Sequence, residues 1–304
     1  MTVTTRPDRR LMLVHAHPDD EALMTGATMA KYAAEGAAVT LVTCTLGEAG
    51  EIVTEDLAHL ADEGPDALGR QRLGELREAM AVLGVTDFVR LGGDHRFRDS
   101  GMAWAPDGTA TVADTTDERS LHAADLLVAA DELVPLVRDR RPQVLITYDQ
   151  FGGYGHPDHV KAHRVATYAA ALAAVPSYRP ELGEPWQVSR VLWTAMSASQ
   201  IAHGIATLDE RGLAGVLDGI PTDPSSPMLS GDDEIAVEVD ARDHAADKLA
   251  ALRSYRSQLR ADEGFLSLPD DLAREFWGRE HYRFAGGEPL PAGGPAADVF
   301  AGLG

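Results

Sequence analysis

The sequence predicts an α/β fold with a mostly parallel sheet flanked by helices. Short apolar runs rich in β-branched residues alternate along the chain with Ala-rich helical patterns. Strands that are separated by helices favour parallel pairing through right-handed crossovers. The hydrophobic fraction of 44% and the charged fraction of 25% are those of an ordinary globular protein.

The elements follow in chain order. Two strands at 11–15 and 38–45 enclose a helix that closes at Gly36, where glycine can adopt the left-handed cap. The next predicted elements are a helix at 70–83, a strand at 87–93, a helix at 121–140 and a strand at 143–149.

The second half is less regular. A helix begins near Asp158, and strands at 189–196 and 234–240 either extend the sheet or form a smaller lobe. Asp240 is expected to cap a long helix over 241–259. The Gly/Pro-rich segment 286–304 is expected to be a loosely packed tail.

Composition narrows the possible partners. Acids outnumber Lys plus Arg by 48 to 27, and the net charge of -21 disfavours nucleic acid and anionic lipid as partners. No apolar run reaches about 18 residues and no basic-then-apolar leader is found, so neither a membrane span nor secretion is expected. The lone Cys44, interpreted as a buried apolar residue, fits a reducing compartment such as the cytoplasm.

Titratable residues cluster where the first predicted strand ends, in the stretch "HAHPDDE" at 15–21. Proline followed by acids suits the start of a helix, but that interpretation leaves His17 unexplained. In open α/β sheets, ligands bind beyond the carboxyl ends of the strands. His15 alternates with His17 along the strand and is expected to pack nearby rather than to bind a ligand.

A second cluster, "GHPDH" at 155–159, follows another predicted strand. His17, Asp20 and one histidine of this cluster would supply two imidazoles and a carboxylate, a set suited to Zn²⁺ with an open position for water. His159 and His163 are four residues apart on a predicted helix, and spacing alone leaves both open, although His163 is also a plausible polar helix residue without function.

Together the two motifs resemble the LmbE-like, or PIG-L, family of zinc-dependent N-acetylglucosaminyl de-N-acetylases. The stretches "LGGDHRFRDSGM" and "TYDQFGGYGHPDHV" are most similar to members that remove acetate from N-acetylglucosaminyl-inositol in mycothiol biosynthesis. The resemblance covers most of the chain. It implies one Rossmann-like domain over 1–285, with an N-terminal part to about residue 180 and a smaller C-terminal lobe.

The resemblance also implies roles for individual residues. The metal ligands are His17, Asp20 and His159, the catalytic residues are Asp19, His156, Tyr154 and Asp158, and the substrate-binding residues are Arg72, Glu51 and Asp99. Asp19 would be the general base, His156 would polarise the carbonyl, and Asp158 would orient His156. The cofactor is expected to be Zn²⁺, with Fe²⁺ as the alternative, and the partner a small sugar-inositol substrate, with a homo-oligomer possible.

Departures and alternatives remain open at this point. Phe151 stands where the family pattern has a small polar residue, and Arg72 could be a surface charge on its helix. The alternative functions are a mycothiol S-conjugate amidase, a deacetylase of another N-acetylglucosamine conjugate, a non-haem Fe(II) oxygenase and a metal-dependent sugar-binding module. Oxygenases of that type usually carry H-x-D on a β-barrel, whereas this chain has H-x-x-D on an α/β pattern. A binding module would not need Asp19 together with His156, so the presence of both favours an enzyme.

Overall fold

The computed structural model describes residues 9–93, 95–114, 117–217, 219–261 and 263–303. The strands are β1 (Arg10–His15), β2 (Ala38–Thr43), β3 (Asp87–Arg90), β4 (Ala103–Trp104), β5 (Ala110–Thr111), β6 (Val144–Thr147), β7 (Arg190–Ala195), β8 (Val237–Asp240) and β9 (Arg279–Gly287). The helices are α1 (Asp20–Ala34), α2 (Ala67–Leu83), α3 (Leu126–Arg140), α4 (Gly152–Gly155), α5 (Pro157–Ala173), α6 (Ala198–Glu210), α7 (Ala245–Ser254) and α8 (Asp270–Trp277).

Seven strands form one sheet in the order β3-β2-β1-β6-β7-β9-β8, and β4 pairs with β5 in a separate hairpin. The pairs from β3 to β7 are parallel, whereas β9 is antiparallel to both β7 and β8. The prediction of a mostly parallel α/β sheet flanked by helices is confirmed. The two later strand candidates, β7 and β8, extend this same sheet.

Both faces of the sheet are covered, which explains why its central strands read as continuous apolar runs. Along β1, Leu11 and Leu13 join the core beneath α1, α2 and α7. Met12 and Val14 point the other way, into the core beneath α3 and α5. The charged and imidazole side chains of the site therefore lie beyond the ends of these strands, where the chain leaves the sheet.

The long helix predicted over 241–259 is shorter in the structure. A 3₁₀ turn at Arg242–His244 precedes α7, and Asp240 accepts the backbone N–H of Arg242 at 3.2 Å, so its carboxylate contacts the start of that turn and does not cap the α-helix. The helix ends at Ser254 because the next residues turn away to satisfy two buried glutamates, Glu21 and Glu75.

The expectation of a loosely packed segment 286–304 holds for the exposed residues 291–295 but is wrong for Gly286 and Gly287, which end β9, and for the stretch around Val299. The buried Arg190 guanidinium donates to the carbonyls of Glu288, Pro289 and Val299 at 2.8–3.1 Å. Val299 and Phe300 are themselves buried. A buried guanidinium needs acceptors, and this segment supplies backbone carbonyls that its Gly/Pro-rich composition does not reveal.

Among the described residues, no helix combines the length and the apolar character needed to cross a bilayer.

Candidate active site

The candidate site lies where β1 and β6 end side by side. These strands pair in parallel, and the chain leaves β1 toward β2 on one side while β6 lies on the other. Such a switch in strand order opens a crevice at the carboxyl edge of the sheet. His17 follows β1 by two residues, and the second histidine cluster begins α5 after β6, so both clusters face this crevice.

Three buried imidazoles meet there. His17, His156 and His159 present ring nitrogens within 4.8 Å of one another, and their ring centroids are 4.6–5.3 Å apart. The carboxylate of Asp20 lies between two of them, 3.2 Å from Nδ1 of His17 and 3.2 Å from Nε2 of His159. Burial disfavours the charged form of Asp20, but its two imidazole neighbours hold the pKa of this carboxyl well below its usual range.

The donor set of His17, Asp20 and His159 fits a divalent metal. His159 Nδ1 faces the Gly152 carbonyl at 3.1 Å, so Nδ1 donates to that carbonyl and Nε2 is the ring nitrogen that can bind a metal. That Nε2 atom is buried and makes no hydrogen bond within the described residues. A buried lone pair beside a carboxylate, with the opposite nitrogen held by a carbonyl, is typical of a histidine ligand.

Two further carboxylates surround His17. Asp99 Oδ1 and Asp158 Oδ2 each lie 3.4 Å from His17 Nε2, and these three residues also form a group that could hold a metal. Burial opposes a charged imidazole, yet the neighbouring aspartates raise the pKa of His17 well above its ordinary value. So much buried negative charge is complementary to a cation.

Asp19 lies beside this group, at the start of α1. Its Oδ2 accepts a hydrogen bond from Arg72 Nη2 at 3.0 Å, and Arg72 also donates to the carbonyls of Pro18 and Gly47. Burial raises the pKa of Asp19 to about 6, with Arg72 opposing the shift and Asp20 adding to it. Arg72 is 3% exposed, so it is not a surface charge, and its hydrogen bonds hold Asp19.

His156 caps α5, and its Nδ1 accepts the backbone N–H of Asp158 at 3.1 Å. The proton of the neutral ring is therefore on Nε2, which is free to donate. Burial first, and then repulsion from His17 and His159, lowers the pKa of His156 to about 2. Asp158 thus contacts His156 through its backbone, whereas its carboxylate contacts His17 and accepts the N–H of Ser100 at 2.7 Å.

The remaining predicted site residues differ in how deeply they are buried. Asp99 is buried against His17, and it accepts the backbone N–H groups of Gly101 at 2.8 Å and Ala49 at 3.3 Å. The Tyr154 ring lies 5.0 Å from His159. Glu51 is exposed and lines a cavity of about 490 Å³ together with residues 258–260 and 263–266.

His163 lies outside the cluster, because its Nδ1 faces the Tyr148 carbonyl at 3.0 Å and its ring packs on Trp193. His15 packs edge-on against Tyr148 and contacts Thr25 Oγ1 at 3.1 Å, as its alternation along the strand suggested.

Sequence reasoning missed Tyr148. Its ring stacks on His159 with a centroid distance of 4.2 Å, and its hydroxyl accepts the Ala16 N–H at 2.9 Å. The sequence feature that could have indicated Tyr148 is its position directly after β6 and before the second histidine cluster. Glu21 was also passed over, because acids at a helix start have a simpler explanation in the helix dipole.

The fold and the cluster together define a metal-binding α/β enzyme. The chain belongs to the PIG-L, or GlcNAc-PI de-N-acetylase, family, whose model matches residues 12–170.

One relative, the 1D-myo-inositol 2-acetamido-2-deoxy-alpha-D-glucopyranoside deacetylase of Nocardioides sp. strain JS614, is 52% identical over 97% of this chain and 99% of its own length. Two solved structures share the fold. The N,N'-diacetylchitobiose deacetylase of Pyrococcus horikoshii aligns with a TM-score of 0.59 at 19% identity, over 91% of this chain and 84% of its own. The 4-carboxy-2-hydroxymuconate hydratase GalB of Pseudomonas putida aligns with a TM-score of 0.60 at 15% identity, over 93% and 99%.

The contrasting environments of two histidines on α5 predict different effects on metal binding. We expect His159→Ala to weaken zinc binding by at least about 100-fold, because it removes the lone pair beside Asp20. His163→Ala, one helical turn away, is expected to bind zinc like the unchanged protein. Competition with a chromogenic chelator measures both affinities, and weaker binding in the His163 variant alone would contradict the placement of the metal.

Proposed function

We propose that this protein hydrolyses the N-acetyl group of N-acetylglucosaminyl-inositol, giving glucosaminyl-inositol and acetate, as a zinc enzyme of mycothiol biosynthesis. The observation that carries the proposal is the near full-length likeness to the Nocardioides deacetylase. The net charge of -21 and the buried Cys44 support a cytoplasmic enzyme with a small-molecule substrate.

The proposed metal ligands are His17, Asp20 and His159. This choice is supported by the contacts of Asp20 with both imidazoles and by the burial of His159 Nε2, which makes no hydrogen bond within the described residues. Zinc held by these groups would lower the pKa of a water molecule and polarise the amide carbonyl. Asp99 and Asp158, on the far nitrogen of His17, would fix the orientation of that ring.

Asp19 is the proposed general base. It is adjacent to a proposed ligand, and Arg72 holds one of its carboxylate oxygens, leaving the other for the attacking water. His156 would donate from Nε2 to the carbonyl oxygen as negative charge develops there. Tyr154, whose ring lies between these histidines and the exposed Trp104, borders the same space.

The departing amine needs a proton, and the geometry favours Asp19 as its source. A second proton on His156 would go to Nδ1, where it would break the hydrogen bond from the Asp158 backbone. Asp19 receives the proton of the attacking water and can return that same proton to the amine. Arg72, Glu51 and Asp99 are proposed to contact the substrate hydroxyls, with Arg72 also fixing Asp19.

Release of free amine from N-acetylglucosaminyl-inositol tests the proposed reaction. We expect the zinc-loaded protein to turn over this substrate much faster than a mycothiol S-conjugate, and chelation to abolish turnover with restoration by zinc. Reconstitution with Fe²⁺ beside Zn²⁺ compares the two candidate metals. Preference for the conjugate would replace this proposal with the amidase, and turnover that survives complete metal removal would contradict the metal mechanism.

The role of Asp19 is tested by Asp19→Ala. We expect kcat to fall by roughly 10²–10⁴-fold, because the attacking water loses its proton acceptor, while zinc content stays near normal. Amine release and metal analysis of the same preparation measure both. Asp139→Ala, which changes an exposed acid, is the control for a general effect of charge. Loss of zinc from the Asp19 variant would make Asp19 a ligand and contradict the assignment.

A further inference from the structure

The backbone of Asp19 adopts a conformation that residues with a side chain rarely use. Its φ is 112° and its ψ is -36°, at the junction between Pro18 and the first turn of α1. Such a conformation persists only where the surrounding contacts favour it, and these residues are concentrated at functional sites. The contacts that hold the Asp19 backbone therefore help to determine the orientation of its carboxylate.

Two groups hold Asp19 from opposite ends. Arg72 binds its carboxylate and the preceding carbonyl, as described above. On the backbone side, Glu21 Oε2 accepts the N–H of Asp19 at 3.0 Å. Glu21 is fully buried, and Thr25 Oγ1 donates to its carbonyl at 2.9 Å, which fixes it within α1.

The other carboxylate oxygen of Glu21, Oε1, accepts a hydrogen bond from the hydroxyl of Tyr255. Tyr255 is also fully buried, and it lies at the end of α7, more than two hundred residues away in the chain. Two residues later, Ser257 donates its N–H and its hydroxyl to Glu75 on α2, at 2.9 and 2.7 Å. The position of Tyr255 is thus set by an anchored segment of the C-terminal half.

We propose that Glu21 and Tyr255 are positioning residues for Asp19. Tyr255 fixes the Glu21 carboxylate, which in turn holds the Asp19 N–H and so keeps the backbone in the conformation that directs the Asp19 carboxylate into the crevice. The proposal rests on the function proposed above, in which Asp19 is the base. On this proposal, the C-terminal half affects the reaction rate through Tyr255 and does so without contacting the substrate.

Tyr255→Phe is the most conservative test, since it removes one hydroxyl and keeps the ring. We expect kcat to fall about tenfold, because Glu21 loses one buried hydrogen bond and then holds the Asp19 N–H less firmly, with KM and zinc content unchanged. Tyr282→Phe is the matched control, because Tyr282 is also fully buried and its hydroxyl donates to Thr28 on the same helix, α1, at 2.6 Å. That variant is expected to keep its kcat.

Two glutamate variants separate the hydrogen bond from the packing. Glu21→Ala frees the Asp19 N–H and is expected to lower kcat about 10- to 100-fold. Glu21→Gln is expected to retain activity within about threefold, since the amide oxygen can accept the Asp19 N–H and the amide nitrogen can donate to Tyr255. A glutamine variant as slow as the alanine variant would overturn the proposal.

The decisive comparison is made in the Asp19→Ala background, with enough enzyme to measure its residual rate. If Tyr255 acts through Asp19, adding Tyr255→Phe changes this rate by less than about twofold. A further tenfold fall would show that Tyr255 acts elsewhere, and an unchanged kcat in Tyr255→Phe alone would also overturn the proposal. Full activity of Asp19→Ala itself would instead overturn the assignment of the base, and this inference with it.

Discussion

The carboxylate of Asp20 lies 3.2 Å from an imidazole on each side, and this contact joins two segments that are far apart in the chain. It exists because β1 and β6 are parallel neighbours whose carboxyl ends reach the same edge of the sheet. Asp20 and both imidazoles are buried, and two more aspartates contact His17. A cation is the natural complement of such a cluster, since buried carboxylates are stable only when they are paired.

In the proposed mechanism, the residues around this cluster have different roles because their physical environments differ. The backbone N–H of Asp158 keeps the proton of His156 on Nε2, as a donor requires. The Asp19 side chain is partly exposed, and Arg72 binds one of its carboxylate oxygens, so the carboxylate can contact a water molecule while its orientation stays fixed. The hydratase GalB has the same fold at 15% identity, so the sheet alone does not specify the reaction. The chemistry depends on which side chains the strand ends carry.

Strand and helix alternation was predictable because the central strands are buried on both faces and therefore read as apolar runs. The strand β9 was not predictable in the same way. Its sequence, "REHYRFAGG", looks polar, yet Glu280 is buried in an ion pair with Lys248 at 2.7 Å and accepts two backbone N–H groups of α1. A strand that buries a paired charge has a polar sequence, so a search for apolar patterns does not detect it.

The candidate site could be located from its two His-Pro-Asp motifs, because each lies between the end of a predicted strand and the helix that follows it. The supporting contacts could not be found this way. Tyr148 contacts His159 through the fold, and Tyr255 reaches Glu21 from the other end of the chain. Pairings between distant residues depend on tertiary packing, which a single sequence does not display. The same limit applies to Asp158, whose contact with His156 is made by its backbone.

Anomalous X-ray scattering at the zinc edge, from crystals of the zinc-loaded protein, tests the central claim most directly. The account predicts one strong peak about 2.0–2.2 Å from ligand atoms of His17, Asp20 and His159, with a coordination position left open toward Asp19 and His156. The structure also offers two competing groups, His17 with His156 and His159, and His17 with Asp99 and Asp158. A peak bound by either group, with Asp20 uncoordinated, would contradict the proposed metal centre and the mechanism built on it.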